Sequence, residues 1–209
     1  MTESSFWRNQ LGSTDSGVDV PYKSTTVGRM SEVQRLADRL AKADGRNEAT
    51  STAGQLLNIL KQEDETLIRT EVVRALAATP TDASLDAMQI ALQDKSAEIR
   101  VLACEGLAKS NSLESISILS NTLARDADLD VRIAATRALG QFQSANAVEA
   151  LTRAINDPDP ALQFVAVQSL RQSHSEDLGN NINSWRQLAR TLQQSDQQYT
   201  ASNRSDPNF

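Results

Sequence analysis

The chain has 209 residues, with 21 Lys and Arg against 27 Asp and Glu, so its formal net charge is −6. Only 4% of the residues are aromatic, and 8 Gly and 5 Pro are few for this length, which argues against a β-sandwich and favours helix. The acidic balance argues against non-specific nucleic-acid binding, and no apolar run is long enough for a transmembrane helix.

The N-terminal segment carries Ser, Thr, Asp, Gly and Pro with no helical or strand period. We therefore expect residues 1–28 to form a disordered arm, without the basic start and apolar block of a secretory signal. The helix after it is expected to open at a capping box, Ser31 to Gln34, and to stop before Gly45. Its apolar face would consist of Val33, Leu36 and Leu40.

Four segments in the body of the chain repeat at steps of 31, 32 and 31 residues. They are LIRTEVVRALA (67–77), EIRVLACEGLA (98–108), DVRIAATRALG (130–140) and ALQFVAVQSLR (161–171). They align at one polar residue, here called the anchor position, which is Arg69, Arg100, Arg132 or Gln163. The residues one before and three, six and seven after the anchor are apolar or small and share an arc of about 100° on a helical wheel. Each segment therefore predicts an amphipathic helix that needs neighbours to be stable.

Another helical segment and a short acidic turn precede each of these helices. The segments are TAGQLLNILKQ (52–62), SLDAMQIALQ (84–93), LESISILSNTLA (113–124) and NAVEALTRAIN (146–156), and the turns contain Asp64, Asp94, Asp126 and Asp157. Because Asp suits the positive end of the helix that follows it, each unit is predicted to be a first helix, a tight turn and a second helix.

A closing helix over residues 183–192 is expected to cover the open end of the stack. Its apolar face would consist of Trp185, Leu188, Ala189 and Leu192. We expect the polar residues 195–209 to form a disordered tail.

Residues 130–170 resemble the short HEAT-like repeat of bacterial proteins, a form also found in phycobilisome lyases. The resemblance is carried by Val131-Arg132, Ala134-Ala135, Ala138-Leu139-Gly140, the helix from Ala147 to Leu151 and the Asp-Pro-Asp-Pro turn at 157–160. It extends over about 50–172 and departs from the family at Gln163, where Arg is usual, which weakens any polar link along the stack there. It implies an all-α, HEAT/armadillo-like, right-handed solenoid of about four to five stacked helix pairs over residues 29–194, whose common role is to hold another protein.

The chain offers little from which to build a catalytic site. His174 is the only imidazole and Cys104 the only thiol, whereas nucleophilic catalysis needs a nucleophile and a base close together. We interpret Cys104 as a packing residue and His174 as an exposed loop residue, and we expect no metal and no cofactor. A single cysteine also fits a reducing, cytoplasmic compartment. The HEAT family includes a metal-dependent hydroxylase, but the His-Glu pairs on successive helices that it uses have no counterpart here.

The residue directly after the anchor lies opposite the buried face of each second helix. It is Thr70, Val101, Ile133 or Phe164, and the residue beside it, five after the anchor, is Arg74, Glu105, Arg137 or Gln168. An apolar centre with a polar rim is typical of a protein-binding surface, so Val101, Ile133 and Phe164, here called the apolar strip, form the predicted partner site. The alternative is that neighbouring helices cover these side chains as part of a wide core. Phe6, Trp7 and Leu11 of the N-terminal arm are a candidate occupant of the strip in cis.

The resulting hypothesis is a non-catalytic, cytoplasmic scaffold or adaptor that binds a protein partner and has no nucleic-acid or membrane partner. Two alternatives stay open on the sequence alone. One is a phycobilin-lyase-like enzyme or enzyme accessory subunit, for which no residue can be assigned to the site. The other is a structural assembly module whose terminal helices self-associate. The sequence specifies neither the identity of the partner nor the oligomeric state.

Overall fold

The computed structural model describes residues 25–110, 112–173, 178, 181, 183–188, 190, 191 and 194. The helices are α1 (Thr26–Ala41), α2 (Arg46–Gln62), α3 (Thr66–Ala78), α4 (Asp82–Ala91), α5 (Ala97–Lys109), α6 (Leu113–Arg125), α7 (Leu129–Leu139), α8 (Ala145–Ala154) and α9 (Pro160–Ser173). Residues 183–188 are helical as well, and no described residue lies in a strand. The predicted all-α class is confirmed.

The helices pack in two rows. In the second-helix row, α1, α3, α5, α7 and α9 follow one another, and each packs against the next. The first-helix row contains α2, α4, α6 and α8, and each of these packs against the second helix of its own unit. Helix α1 takes the place of a second helix at the start of the stack and packs against both α2 and α3. Over the described residues the architecture is therefore a stack of four helix pairs, with one additional helix at its N-terminal end and the helical residues 183–188 after α9.

The start of α1 differs from the sequence prediction. The helix begins at Thr26, and the Oγ1 atom of Thr25 accepts a hydrogen bond from the backbone N–H of Gly28 at 3.0 Å. The capping box predicted at Ser31 is therefore wrong, and residues 26–28 of the predicted arm belong to the helix. The reason is that Thr25 is itself a good N-cap and that Gly28 is buried in the stack, so tertiary packing extends the helix by more than one turn.

The helix ends before Gly45, as predicted, and Gly45 then precedes α2 with a φ of 144°. This conformation is accessible to glycine and disfavoured for residues with a Cβ atom.

The core consists of the repeated apolar positions. The residues one before and seven after the anchor have no accessible surface in any of the four units: Ile68, Leu76, Ile99, Leu107, Val131, Leu139, Leu162 and Leu170. They belong to one continuous cluster with apolar residues of the first helices and with Trp185 of the closing segment. The predicted buried face is therefore confirmed, and the stack contains a single core rather than separate ones.

Small residues six and eight after the anchor let consecutive second helices approach closely. A Cβ atom added at Gly106 would lie 2.9 Å from the Cβ atom of Ala77 and would also overlap the Sδ atom of Met88. A Cβ atom added at Gly140 would lie 2.6 Å from the Cβ atom of Ser169 and 2.9 Å from its Cα atom. Because the Cα atom of Ser169 belongs to the backbone and cannot turn away, α7 and α9 would have to move apart to admit a Cβ atom at position 140.

Replacing Gly140 with alanine is therefore expected to lower the free energy of unfolding by about 1–3 kcal/mol, the usual cost of overpacking. Gly54 of α2 provides the matched control, since nothing lies within 4 Å of its added Cβ atom. Gly54→Ala should raise stability by about 0.5–1 kcal/mol because alanine favours the helix. Urea unfolding followed by circular dichroism measures both. Combining Gly140→Ala with Ser169→Gly should recover part of the loss, and equal stability changes in the two alanine variants would contradict the close packing.

Candidate functional site

The anchor arginines link consecutive units along the edge where the turns lie. The Nε and Nη2 atoms of Arg69 donate to the two carboxylate oxygens of Asp94 at 2.7 and 3.0 Å, while its Nη1 atom donates to the backbone oxygen of Asp64. Arg100 repeats the pattern, with 2.8 and 2.9 Å to Asp126 and 2.9 Å from Nη1 to the backbone oxygen of Asp94. Each guanidinium therefore holds its own turn and the turn of the next unit, and we call this series the ladder.

In the rungs Arg69–Asp94 and Arg100–Asp126, pairing shifts the pKa values of the members. Burial alone would raise the pKa of Asp94, but the hydrogen bonds from Arg69 and from the Ser96 N–H outweigh it and hold that pKa below its usual value. The pKa of Asp126 is lowered in the same way, against the effect of burial, by Arg100 and the Asp128 N–H. The carboxylates thus stay ionised although they are largely shielded from water.

The ladder changes character at both ends of the stack. At the first rung, Arg29 of α1 pairs with Glu63 at 2.9 Å. At the last, the shorter side chain of Gln163 donates to the backbone oxygen of its own turn, that of Asp157, at 2.7 Å, and to no other described residue. The sequence repeat does not predict that Arg29 is an anchor residue, because Arg29 lies 40 residues before Arg69 rather than 31 or 32. The signal that identifies it is Leu36, which stands seven residues after it, as the buried leucines do in the other units.

The residue directly after the anchor differs in solvent exposure from one unit to the next. Thr70 is buried, and its Oγ1 atom donates to the backbone oxygen of Thr66 at 2.9 Å. Val101 and Ile133 are half-buried and pack against the core. Phe164 is 64% exposed. The structure therefore places the apolar strip on successive second helices, with its most accessible member on α9.

The residues beside the strip are polar and exposed: Arg74, Glu105, Arg137 and Gln168. Arg74 forms an ion pair with Glu71 of the same helix. A recess of about 430 Å³ adjoins Phe164, and Ile155, Pro160 and Val167 contribute to its lining. The sequence analysis missed these three residues, since the recess forms between the turn of the fourth unit and α9 rather than along one helix.

Cys104 and His174 are the only cysteine and the only histidine of the sequence. Cys104 is fully buried, which confirms its interpretation as a packing residue. Burial raises the pKa of its thiol to about 12, so the sulfur is protonated at neutral pH and is a poor nucleophile. His174 lies outside the described residues. In the described part of the chain, no group of three or more His, Cys, Asp or Glu side chains is placed to hold a metal ion. No helix there is long and apolar enough to cross a membrane.

Fold and ladder together define the class of an α-solenoid, a stack of helix pairs joined by polar links between consecutive turns. A family model for HEAT repeats matches residues 53–135 and 116–183, and the chain belongs to the HEAT-repeat family. The phycobilisome-lyase subtype stays a prediction.

A solved structure of human deoxyhypusine hydroxylase in complex with glycerol is similar, with a TM-score of 0.54 and 23% sequence identity. The match covers 64% of this chain and 46% of that one, so this chain spans less than half the length of the hydroxylase. At this identity the likeness shows the fold alone. No curated protein matches the sequence.

Proposed function

We propose that this chain is a non-catalytic, cytoplasmic scaffold or adaptor that holds a protein partner on the apolar strip. The observation that carries the proposal is the exposure of Phe164, a large apolar side chain that is 64% accessible beside the exposed polar Gln168. Large aromatic side chains at such positions commonly dominate the binding energy of interfaces. HEAT repeats commonly mediate protein interactions, and the only thiol of this chain is buried and held protonated.

The geometry of the strip limits the kind of partner. Helices α5, α7 and α9 are consecutive neighbours, and packed helices lie about 8–10 Å apart. Val101, Ile133 and Phe164 therefore span about 20 Å, which matches about four turns of a helix or six residues of an extended peptide. An amphipathic segment would place one apolar side chain in the recess beside Phe164 and others over the half-buried Val101 and Ile133.

Phe164→Asp is expected to weaken partner binding at least tenfold while leaving the fold intact, since the ring is mostly in water. The partner is first captured by a photo-crosslinking residue placed at Gln168, which lies on the same exposed face. Its affinity for the wild-type chain and for the variant is then measured by titration calorimetry. Thermal unfolding of the two chains should agree within about 2 °C, because surface substitutions usually change stability little.

Leu113→Asp provides the matched control. Leu113 is 75% exposed and lies at the start of α6, in the other row of helices. Its replacement by aspartate adds the same charge as Phe164→Asp does. This variant should bind the partner as the wild type does. Equal binding by all three chains would contradict a partner site on the strip, and equal weakening by both variants would point to the added charge rather than to the strip.

A further inference from the structure

The fourth rung of the ladder, that of Arg132, is open. Arg132 keeps the bond to its own turn, from Nη1 to the backbone oxygen of Asp126 at 3.3 Å. Its Nε atom is buried, and no described residue accepts a hydrogen bond from it. Within the described chain, Arg132 forms no ion pair with Asp157, although Asp157 occupies the position that Asp94 and Asp126 hold in the closed rungs.

The sequence spacing does not account for this opening. Arg69 and Asp94 are 25 residues apart, as are Arg132 and Asp157. The Oδ1 atom of Asp157 accepts the backbone N–H of Asp159 at 2.9 Å, as the Oδ1 atom of Asp94 accepts that of Ser96. The acidic turn is therefore built in the same way in both places. What differs is that Arg132 and Asp157, within the described chain, line one cavity without forming an ion pair.

This cavity has a volume of about 300 Å³ and lies between α6, α7 and α8. Side chains that line it include Ser120, Leu123, Arg125, Arg132, Arg153 and Asp157. A water molecule takes about 30 Å³ of liquid volume, so the cavity has room for about ten waters or for a carboxylate on a short aliphatic chain.

The charges around the cavity favour an anion. Three guanidinium groups line it, those of Arg125, Arg132 and Arg153, together with the carboxylates of Asp126 and Asp157. The Asp126 carboxylate already accepts hydrogen bonds from the Nε and Nη2 atoms of Arg100. Arg125 and Arg153 are exposed at the rim. Arg153 also forms a long, exposed ion pair with Glu149 of its own helix at 3.8 Å, so Arg125 contributes most of the attraction for an incoming negative charge.

We propose that this cavity is a binding site for a carboxylate group, held by the Nε and Nη2 edge of Arg132. The same edge binds a carboxylate with two hydrogen bonds in Arg69 and Arg100. An entering carboxylate supplies the acceptor that the buried Nε–H lacks, and a buried donor without an acceptor is unfavourable. The site lies on the edge of the turns and does not depend on the partner site of the apolar strip.

The test uses the full chain and follows the arginine Nε–H signals by NMR. The Arg132 signal is the one that is missing from the spectrum of the Arg132→Gln variant. Two carboxylate probes are titrated separately: glutarate, which represents a small free carboxylate, and a blocked peptide of six glutamates, which represents an acidic protein segment. Sulfate serves as the tetrahedral anion control. We expect the Arg132 signal to shift and to become protected from exchange with one of the carboxylate probes, and the responding probe identifies the source of the carboxylate. The signals of Arg69 and Arg100 should stay in place.

The variants separate the site from general charge effects. Arg132→Gln should weaken binding at least about tenfold and still fold, since Gln163 occupies the equivalent place in α9 and bonds to its own turn. Arg132→Lys keeps the charge without the planar fork and should bind nearly as weakly. Arg35→Gln, which removes the same charge from the exposed face of α1, should bind as the wild type does.

Several results would overturn the proposal. They are an Arg132 signal that responds to neither carboxylate, an equal response to sulfate, and undiminished binding by Arg132→Gln or Arg132→Lys. Protection of the Arg132 Nε–H in the free protein equal to that of Arg100 would show that Asp157 closes the rung by itself.

Discussion

Replacing Trp185 with alanine is expected to lower the free energy of unfolding by about 3–5 kcal/mol, the range for deleting a large buried aromatic side chain. Trp185 has no accessible surface and belongs to the continuous core of the stack. Leu178 and Leu188 pack against the same core. A stack of repeats buries each unit against its neighbours, so its last apolar face must be covered by a different element. Urea unfolding monitored by circular dichroism gives the loss directly.

Trp185→Phe serves as the control, because it keeps an aromatic ring in the same space. It should cost less than half as much as the alanine variant, since most of the buried apolar surface is retained. A loss below about 1 kcal/mol for Trp185→Ala would mean that the segment at residues 183–188 contributes little to the stack. In that case the fourth unit would be stable without a cover at its C-terminal end.

The repeated core followed from the sequence because its signal is redundant. Each second helix shows the same apolar arc, and four copies at nearly equal steps leave one arrangement in which all the arcs are buried. The start of α1 did not follow, since Thr25 and Ser31 are both acceptable caps and local sequence does not choose between them. The burial of Gly28 against the stack makes that choice, and it is a property of the assembled fold.

The candidate sites were predictable only in part. The helical wheel placed Val101, Ile133 and Phe164 on one face, but not their different exposure. Second helices within the row are flanked on both sides, whereas α9 is the last of the row, and Phe164 is the most exposed of the three. The open rung was not predictable at all, because Arg132 and Asp157 have the same residue types and spacing as the closed pair of Arg69 and Asp94.

Breaking a closed rung is the second change with a large expected effect. Arg100→Gln should lower the free energy of unfolding at pH 7 by about 2 kcal/mol, because it leaves the Asp126 carboxylate without its counterion. Both side chains are largely shielded from water, with exposed fractions of 16% and 11%. The loss stays below the full cost of an unpaired buried charge, since Asp126 keeps its hydrogen bond from the Asp128 N–H. Arg35→Gln, which breaks an exposed pair with Glu32, should cost less than about 0.5 kcal/mol.

The difference between the wild type and Arg100→Gln should depend on pH in a definite direction. In the wild type the folded-state pKa of Asp126 lies below its unfolded value of about 3.9. The rung therefore stabilises the fold fully above that pH, and its contribution is lost as the pH falls through the folded pKa. In the variant, burial is no longer outweighed by Arg100, so the Asp126 carboxyl takes up its proton at a higher pH. Urea unfolding at pH 7, 5, 4 and 3 should thus show the two free energies converging as the pH falls from the folded-state pKa of Asp126 in the variant to the lower folded-state pKa in the wild type. A gap that stays constant to pH 3 would mean that Arg100 stabilises the stack by packing rather than through its pair with Asp126.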